Sequence, residues 1–259
     1  MRLVRFEHDI AESALKRISW GEYIEDHIRE LYWDNDDTWK ATGAEYSFDQ
    51  VSIMAPAIPG KIICVGLNYR DHAAELGMPP PDEPVVFLKP GTSLLASEEK
   101  IVRPSSCKEL DYEAEIAVVV SRKCRRIQSD HVKEHLWGYT CFNDVTARDL
   151  QRKDGQWTRA KSFDTFAPLG PYIETDHTEN TLDISLKLNG EEKQSSDSSN
   201  MIYSIEETVS YISNIMTLNP GDIIATGTPS GVGSMQPGDR VEVMVGSLGV
   251  LRNYITEEN

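Results

Sequence analysis

The stretch "ELDYEAEIAVVV", residues Glu109–Val120, decides how the rest of the sequence is interpreted. Its second half, Ile116–Val120, consists of small and β-branched apolar residues, which predicts a strand buried on both faces. Successive side chains of a strand point to opposite faces. Asp111, Glu113 and Glu115 therefore lie on one side, together with apolar residues of the second half. The sequence therefore places three carboxylates at the edge of the predicted hydrophobic core.

Carboxylates two positions apart on a strand repel each other unless something compensates their charge. At a separation of about 6 to 7 Å, the repulsion is about 2 to 3 kcal/mol at an effective dielectric constant of about 20. Solvent at a wet strand end is one way to offset this cost. A divalent cation held by the carboxylates is the other, and the apolar continuation of the strand favours it. Since the candidate ligands are all oxygens, magnesium or manganese is expected rather than zinc or copper.

Asp144 is the best candidate for a third ligand, because it follows the apolar and aromatic stretch "WGYTCFN" and stands at a predicted helix entry. Arg148 and Gln151 follow at successive turns, so the three side chains are predicted to share one helical face. That face offers an anion, a cation and an amide. Either Asp144 or Asn143 could instead serve as the N-terminal cap of the helix.

The segment "GLNYRDHAAELG" contains a candidate proton-transfer pair, His72 and Glu75. In one turn of helix the two face the same way, so the carboxylate can accept a hydrogen bond from the imidazole. Such a pair can take a proton from water. The same spacing also occurs in ordinary surface turns. Gly66 and Gly77 bracket the segment, which predicts a flap that is open without ligand and closes over the site.

Two further motifs carry a weaker signal. "HVKEH", residues His131–His135, matches a zinc-peptidase pattern, but a solvated surface helix over Ser129–Trp137 is favoured because the helix is short and no third ligand is evident. "TGTPSGVG" follows an apolar strand and places Thr228 and glycine amides where an anion could bind. It lacks the residues of a P-loop and the spacing of a dinucleotide fingerprint, so no nucleotide is predicted.

Composition limits the class of protein. The chain has 259 residues, 39% of them hydrophobic, which suffices for a sizeable core. A net charge of -16 argues against nucleic acid or an anionic membrane as a partner. The N-terminus lacks the apolar region of a signal peptide, and no stretch approaches the roughly 20 apolar residues that span a bilayer. We therefore expect a cytoplasmic protein, and the four widely spaced cysteines fit reduced thiols.

The chain is predicted to form two domains, a small N-terminal one over residues 1–57 and a larger one over residues 58–259. The boundary lies in "APAIPGK", where prolines and a glycine interrupt either periodicity. In the first domain, "YIEDHIRELYWDNDD" (Tyr23–Asp37) is predicted as an amphipathic helix that runs into an acidic turn. In the second, "KIICVGLNY", "VVFLKP" and "EIAVVV" predict strands, and Ser204 and Glu207 have capping-box spacing ahead of a helix. The expected class is α+β and β-rich.

Eight segments of the second domain resemble, in order, the signature blocks of the fumarylacetoacetate hydrolase family. They are "VGLNYRDHAAELG", "LDYEAEIAVVV", "GYTCFNDVTARDLQ", "AKSFDTFAPLGP", "LNGEEKQ", "MIYS", "LNPGDIIATGTPSGVG" and "PGDRVEV". The resemblance extends from Lys61 to the C-terminus. It implies a mixed β-sandwich roll with a small N-terminal domain, a homodimer, and a magnesium or manganese site in each subunit.

The resemblance also implies a role for each candidate residue. The implied metal ligands are Glu113, Glu115 and Asp144, with Asp111 as a neighbour of the site. The implied catalytic residues are His72, Glu75 and Lys161, and the implied substrate-binding residues are Arg148, Gln151 and Thr228.

The implied substrate is a small anionic keto acid that chelates the ion and passes through an enolate that the ion stabilises. Family members hydrolyse a C–C bond in acylpyruvate-like diketo acids, isomerise 2-hydroxyhepta-2,4-diene-1,7-dioate-type substrates, or decarboxylate oxaloacetate, and a shared fold does not separate these reactions. The His72–Glu75 pair favours hydrolysis. A metal-dependent binding protein without turnover is the alternative class, and intact His72, Glu75 and Lys161 argue against it.

Overall fold

The computed structural model describes residues 1–9, 15–35, 38–176 and 181–258. Within these residues the strands are β1 (Arg2–Asp9), β2 (Lys16–Tyr23), β3 (His27–Trp33), β4 (Trp39–Ser47), β5 (Val51–Met54), β6 (Ile62–Gly66), β7 (Val85–Lys89), β8 (Leu94–Leu95), β9 (Lys100–Arg103), β10 (Leu110–Tyr112), β11 (Ala114–Val120), β12 (Leu136–Asn143), β13 (Thr146–Ala147), β14 (Ala167–Glu174), β15 (Asp183–Leu188), β16 (Glu191–Asp197), β17 (Ile223–Ala225), β18 (Gly233–Met235), β19 (Arg240–Val245) and β20 (Val250–Glu257). The α-helices are α1 (Arg70–Glu75), α2 (Arg148–Asp154), α3 (Thr158–Lys161) and α4 (Ile205–Ile215). Short 3-10 helices cover Phe48–Gln50, Gly91–Ser93, Ser129–His135 and Ser198–Asn200.

A 12-stranded sheet runs through most of the molecule. Its order is β4-β3-β2-β1-β14-β12-β11-β17-β6-β7, with β5 beside β1 and β8 beside β14. Most neighbours are antiparallel, whereas β17 is parallel to β6 and β14 is parallel to β8. The strands predicted from "KIICVGLNY", "VVFLKP" and "EIAVVV" are confirmed as β6, β7 and β11.

A 5-stranded sheet of order β16-β15-β19-β20-β9 packs on the large one. Ile116 and Val118 of β11 share a buried cluster with Val243 of β19, between the two sheets. Ala117 and Val119, on the other face of β11, belong to a second buried cluster. The central strand is therefore buried on both sides, as its sequence predicted, and the β-rich α+β class is confirmed.

The N-terminal strands β1 to β4 form an antiparallel meander that joins the large sheet where Leu3 of β1 pairs with Ile173 of β14. The predicted helix within Tyr23–Asp37 is wrong, because His27–Trp33 is a strand. Ile28 pairs with the end of β2, and the inter-strand hydrogen bonds replace those that a helix would make. Residues 36–37 of that prediction lie outside the described part. The boundary between residues 57 and 58 stays a prediction.

The prediction that Asn143 or Asp144 caps the helix that follows them is also wrong, because that helix, α2, begins only at Arg148. Asn143 ends β12 and its side-chain oxygen accepts the backbone N–H of Glu113 at 2.9 Å. Asp144 follows in a loop, and β13 then pairs with β10 before the helix starts. Of the three side chains expected on one helical face, Arg148 and Gln151 lie on α2 and Asp144 does not.

The segment that precedes α1 is fixed to the core. Tyr69 is fully buried and forms a β-bridge with Met201, and Asn68 exchanges hydrogen bonds with the backbone of Tyr203. The first part of the segment between Gly66 and Gly77 is therefore anchored, and closure of the rest over the site stays a prediction. By contrast, the capping box between Ser204 and Glu207 is confirmed at the start of α4.

Candidate active site

A cavity of about 240 Å³ opens at the end of β11 that carries the carboxylates. Eight of the nine predicted site residues line it, and the ninth, Glu75, contacts one of them. The eight are His72, Glu113, Glu115, Asp144, Arg148, Gln151, Lys161 and Thr228. The fold thus brings together residues that are spread over more than half of the chain.

Glu113, Glu115 and Asp144 form a buried cluster in which one carboxylate oxygen of each lies within 4.8 Å of the others. The antiparallel register of β11 and β12 explains this, because it pairs Ala114 with Asn143 and so brings the next residue, Asp144, beside Glu113. The backbone N–H of Asp144 donates to the carbonyl of Glu113 at 2.9 Å. The two strand ends therefore fix the spacing of the carboxylates.

Two buried lysines face this cluster. Lys161 Nζ donates to Glu113 Oε2 at 2.8 Å and to Asp144 Oδ2 at 2.6 Å. Lys89 Nζ forms an ion pair with the other oxygen of Asp144 and donates to the carbonyl of Val145 at 3.0 Å. Asp144 is thus held between two ammonium groups.

Lys161 reaches the cluster because the chain reverses between α2 and α3. Gly155 ends α2 in the left-handed conformation, with φ of 66° and its N–H donating to the carbonyl of Gln151. Glycine adopts this conformation without the clash of a Cβ atom. The turn lets α3 pack on α2 and places its last residue, Lys161, against the carboxylates.

Arg148 connects the cluster to the rest of the pocket. Its guanidinium forms an ion pair with Glu113, donates to Asp111 Oδ2 at 2.8 Å and donates to Gln151 Oε1 at 2.6 Å. Ser234 donates to the second oxygen of Asp111 at 2.8 Å, so this carboxylate in turn holds Arg148 in place. The guanidinium is therefore fixed at the edge of the cavity.

The three carboxylates are not equivalent electrostatically. Burial would raise the pKa of Glu113, but Lys161 and Arg148 outweigh this effect and lower it to about 2. Burial, and then the neighbouring Asp144 and Glu113, raise the pKa of Glu115 well above its usual value. Burial lowers the pKa of Lys161, yet the carboxylates beside it outweigh this and raise it overall. Glu113 is anionic, whereas the surroundings oppose the ionisation of Glu115.

The cluster fits a hard divalent cation. Within the described part of the chain, no cationic side chain forms an ion pair with Glu115, whose Oε2 accepts only the backbone N–H of Gly227 at 2.9 Å. A buried carboxylate without a countercharge is costly. Three carboxylate oxygens at this spacing form the donor set that magnesium or manganese prefers. Glu113, Glu115 and Asp144 would hold such an ion.

His72 and Glu75 form the predicted pair on α1. His72 Nδ1 lies 3.0 Å from Glu75 Oε2, and the same carboxylate accepts the backbone N–H of Gly231 at 3.1 Å. Asp71 accepts the backbone N–H of His72 and a hydrogen bond from Ser196. With Nδ1 engaged, Nε2 is the nitrogen of His72 that is left to serve the cavity that it lines.

Thr228 is oriented by a buried glutamine that the sequence did not single out. Gln194 Nε2 donates to Thr228 Oγ1 at 2.9 Å and to the carbonyl of Pro229 at 2.9 Å. Its Oε1 accepts the backbone N–H of Ala114 at 2.9 Å, which ties the loop to β11. Because Gln194 donates to the Thr228 oxygen, the Thr228 hydroxyl proton remains available to an acceptor in the cavity.

The remaining wall of the cavity is apolar. Phe87 and Trp157 meet edge to face, with ring centroids 5.1 Å apart. A Cβ atom on Gly66 would lie 2.7 Å from the Trp157 ring, so glycine is required for this ring to seat. Val65, Leu67, Leu76, Met78 and Val85 complete this wall.

Sequence reasoning missed three residues of the site: Lys89, Gln194 and Trp157. Lys89 did carry a signal, because it is the only charged residue of the apolar strand Val85–Lys89. Gln194 ends the block "LNGEEKQ", where nothing local indicates burial. Trp157 lies between two short helices, and only the tertiary structure brings it to Gly66.

The chain matches the family model described as "Fumarylacetoacetate (FAA) hydrolase C-terminal" over residues 61–256. The chain belongs to this family. A 5-carboxymethyl-2-hydroxymuconate delta-isomerase from Mycobacterium smegmatis is similar in structure, with a TM-score of 0.90, 36% identity and coverage of 100% of both chains. A 2-hydroxyhepta-2,4-diene-1,7-dioate isomerase from Mycobacterium marinum is also similar, with a TM-score of 0.89 and 36% identity. The match covers 100% of this chain and 99% of that one.

Among curated relatives, the mitochondrial oxaloacetate tautomerase Fahd2a of Rattus norvegicus is 40% identical over 218 residues, which are 80% of this chain and 70% of that protein. Within its described residues, the present chain contains no helix that is long and apolar enough to cross a membrane.

Proposed function

We propose that this protein is a divalent-metal-dependent enzyme that acts on a small anionic 2-oxo acid through its enolate, and that its reaction is hydrolysis of a C–C bond in an acylpyruvate-like diketo acid. One observation carries the proposal: a histidine with its carboxylate partner lines the same cavity as the three-carboxylate cluster and Lys161. A general base beside a cation site is what water-dependent cleavage next to a keto acid requires.

When bound, a magnesium or manganese ion would supply Lewis-acid stabilisation of the negative charge on the 2-oxo group. His72 Nε2 takes a proton from water, whose oxygen attacks the distal carbonyl, while Glu75 accepts a hydrogen bond from His72 Nδ1. The C–C bond then breaks, its electron pair remains with the pyruvate part, and the other product leaves as a carboxylate. Protonation of the enolate gives pyruvate.

Arg148, Gln151 and Thr228 are assigned to the substrate. Arg148 is fixed by Asp111, and Thr228 is oriented by Gln194, so both are prepared to bind a carboxylate without rearrangement. Lys161 is assigned to stabilise the oxyanion that forms at the distal carbonyl. Its two hydrogen bonds to Glu113 and Asp144 support a second task, which is to hold these ligands in place.

The apolar wall favours an acylpyruvate over a dicarboxylate. The cations that line the cavity, Arg148 and Lys161, both contact the carboxylate cluster, whereas the rest of the lining is mostly apolar. A second carboxylate on the substrate would have to give up its hydration there without a countercharge, which is costly. An acyl group with a neutral tail would not have this desolvation cost.

Isomerisation or tautomerisation is the second candidate, because the similar structures and the rat relative carry isomerase and tautomerase names. His72 could move a proton between carbon and oxygen of an enol in the same position. Decarboxylation of oxaloacetate would use the same enolate without water. The predicted homodimer and the cytoplasmic location belong to this proposal, and sedimentation analysis would test the dimer.

A substrate panel tests the proposal. The metal-free protein, with and without added magnesium or manganese, is given acetylpyruvate, benzoylpyruvate, oxaloacetate and 2-hydroxyhepta-2,4-diene-1,7-dioate. We expect metal-dependent release of pyruvate together with acetate or benzoate. Ultraviolet changes only with the dienedioate or the oxaloacetate enol would favour the second candidate. Tight oxalate binding without any turnover would indicate a binding protein.

A further inference from the structure

A second cavity, of about 590 Å³, lies at the opposite end of β11 from the carboxylate cluster. Its lining contains four of the five tryptophans of the chain, together with Ser121, Arg122, Lys123 and Pro220. Glu115 and Ser121 are six positions apart along an extended strand, which separates the two cavities by about 20 Å. A ligand of one cavity does not reach the other.

The four indole rings form a continuous aromatic surface. Trp20 meets Trp39 and Trp137 with ring centroids 5.4 and 5.7 Å apart, and Trp33 meets Trp39 at 5.0 Å. Three of the rings belong to the N-terminal strands, and Trp137 belongs to β12. Trp33 is 45% exposed although it lines a cavity. Large aromatic rings that stay accessible in this way are suited to stacking on a planar ligand.

Two polar features of the cavity have no hydrogen-bond partner among the described residues. The Nε1–H of Trp137 is buried and donates to no acceptor. A buried donor without an acceptor is unfavourable, because it has given up its hydrogen bond to water. Arg122 and Lys123 are exposed and form neither a hydrogen bond nor a close ion pair within the described part of the chain, where Glu134 interacts electrostatically with Arg122 at longer range. The Trp137 N–H, Arg122 and Lys123 are therefore suited to bind an anionic acceptor beside the aromatic surface.

We infer that this cavity is a second binding site, and that it takes a small planar aromatic carboxylate. The ring would stack on the indoles, and the carboxylate would accept the Trp137 N–H and pair with Arg122 and Lys123. A neutral aromatic compound would leave the two cations unused, and an aliphatic acid would lose the stacking. Recognition therefore requires both parts of the ligand.

Indole NMR of the intact, full-length protein tests this inference. Labelling with ¹⁵N-tryptophan gives one indole N–H signal for each of the five tryptophans, and single Trp→Phe variants assign them. Titration with 2-naphthoate should shift the signals of the four cavity tryptophans and move the Trp137 signal downfield as its N–H gains an acceptor. Trp157 lines the active site and should respond instead to oxalate with magnesium.

Two control ligands and three variants identify the chemistry. We expect 2-naphthalenemethanol and cyclohexanecarboxylate to bind at least about tenfold more weakly than 2-naphthoate, because each lacks one part of the ligand. The double variant Arg122→Gln/Lys123→Gln should weaken 2-naphthoate binding about tenfold, whereas Lys133→Gln, a nearby exposed lysine, should not. Trp137→Phe keeps an aromatic ring but removes the N–H donor, and it should also weaken binding about tenfold.

Three results would overturn the inference. Shifts that are unsaturated at millimolar ligand and insensitive to Arg122 and Lys123 would mean an adventitious additive only. Shifts confined to Trp157 would place the ligand in the active site. Shifts of the cavity signals that depend on protein concentration without any ligand would mean that a second copy of the chain covers this surface.

Discussion

Lys89 and Asp144, 55 residues apart in the chain, form an ion pair in which the two side chains are 0% and 1% exposed. Lys89 ends β7 at the edge of the large sheet, and Asp144 follows β12. A buried charge is tolerated only when its countercharge is present. The pair therefore couples the outermost strand of the sheet to the candidate metal site.

Replacing Lys89 by methionine should destabilise the protein. The variant keeps the length of the side chain but leaves Asp144 with Lys161 as its remaining cation, so we expect the free energy of unfolding in EDTA to fall by about 3 kcal/mol. Urea denaturation measures this. Lys133→Met is the control, because its partner Glu206 is 3.6 Å away at the surface and the change should cost less than about 0.5 kcal/mol. Equal effects of the two variants would contradict a structural role for the buried pair.

Replacing Glu115 by glutamine should have opposite effects with and without metal. In EDTA the variant removes a buried carboxyl group whose ionisation the surroundings oppose, so at neutral pH its melting temperature should rise, by about 2–4 °C for each kcal/mol gained. With magnesium the order should reverse, because one ligand is lost. Calorimetric titration should show weaker magnesium binding, and Glu109→Gln, on the same segment, should bind as the wild type does. A variant that is less stable in EDTA would refute this account.

The difference in stability between Glu115→Gln and the wild type in EDTA should depend on pH. An acid whose folded-state pKa is raised above the value of about 4.5 in the unfolded chain destabilises the folded state at high pH. Below about pH 4.5 the carboxyl is protonated in both states, and the variant and the wild type should be equally stable. The advantage of the glutamine should grow as pH rises from there to the raised pKa, and then stay constant. An advantage that shrinks with rising pH would have the wrong sign.

The parts of the fold that the sequence predicted correctly are those where local pattern and final environment agree. The apolar run of β11 has no amphipathic alternative, and the capping box of α4 satisfies its own N–H groups. The strand at His27–Trp33 was mistaken for a helix because Ile28 and Leu31, both buried, also have helical spacing. Pairing with β2 decides that case, and pairing is not visible in a short segment.

The residues of the candidate site likewise fall into those that local sequence predicts and those that it does not. Glu113 and Glu115 stand out because they interrupt an apolar context, so the cluster could be expected from local sequence and Asp144 from its position after "WGYTCFN". Lys89 could be recognised only from the completed sheet, since its partner is supplied by another strand. The resemblance to a family supplied roles for nine residues, and the structure shows eight of them around one cavity.

Shortening Trp157 should change the choice of substrate more than the rate of the common chemistry. Trp157→Ala removes the ring that packs on Phe87, so a substrate with a phenyl tail should lose about 1–3 kcal/mol of binding in the transition state. We expect kcat/KM to fall about 10- to 100-fold for benzoylpyruvate and much less for acetylpyruvate. Trp33→Ala, at the other cavity, should affect neither substrate. Equal losses for both substrates would mean that Trp157 supports the fold rather than the tail.

His72 provides the sharpest test of the reaction, because the chain contains a matched control. His131 and Glu134 repeat the spacing and the contact of His72 and Glu75, with Nδ1 to Oε1 at 3.1 Å, but His131 is largely exposed on a 3-10 helix at the surface. His72→Gln and His131→Gln therefore remove similar side chains from similar local contacts. They differ in that His72 lines the cavity with the carboxylate cluster.

We expect His72→Gln to lower kcat for acylpyruvate hydrolysis by about two to four orders of magnitude, the range for loss of a general base, and His131→Gln to leave it unchanged. Oxaloacetate decarboxylation by the same variant should suffer less, because loss of carbon dioxide needs enolate stabilisation but no attacking water. Magnesium affinity should stay near that of the wild type, since His72 is not one of the three carboxylate ligands. Pyruvate release from both substrates, followed side by side, measures the difference. Equal losses in the two reactions would assign His72 to a shared step such as protonation of the enolate, and its role in activating water would have to be withdrawn.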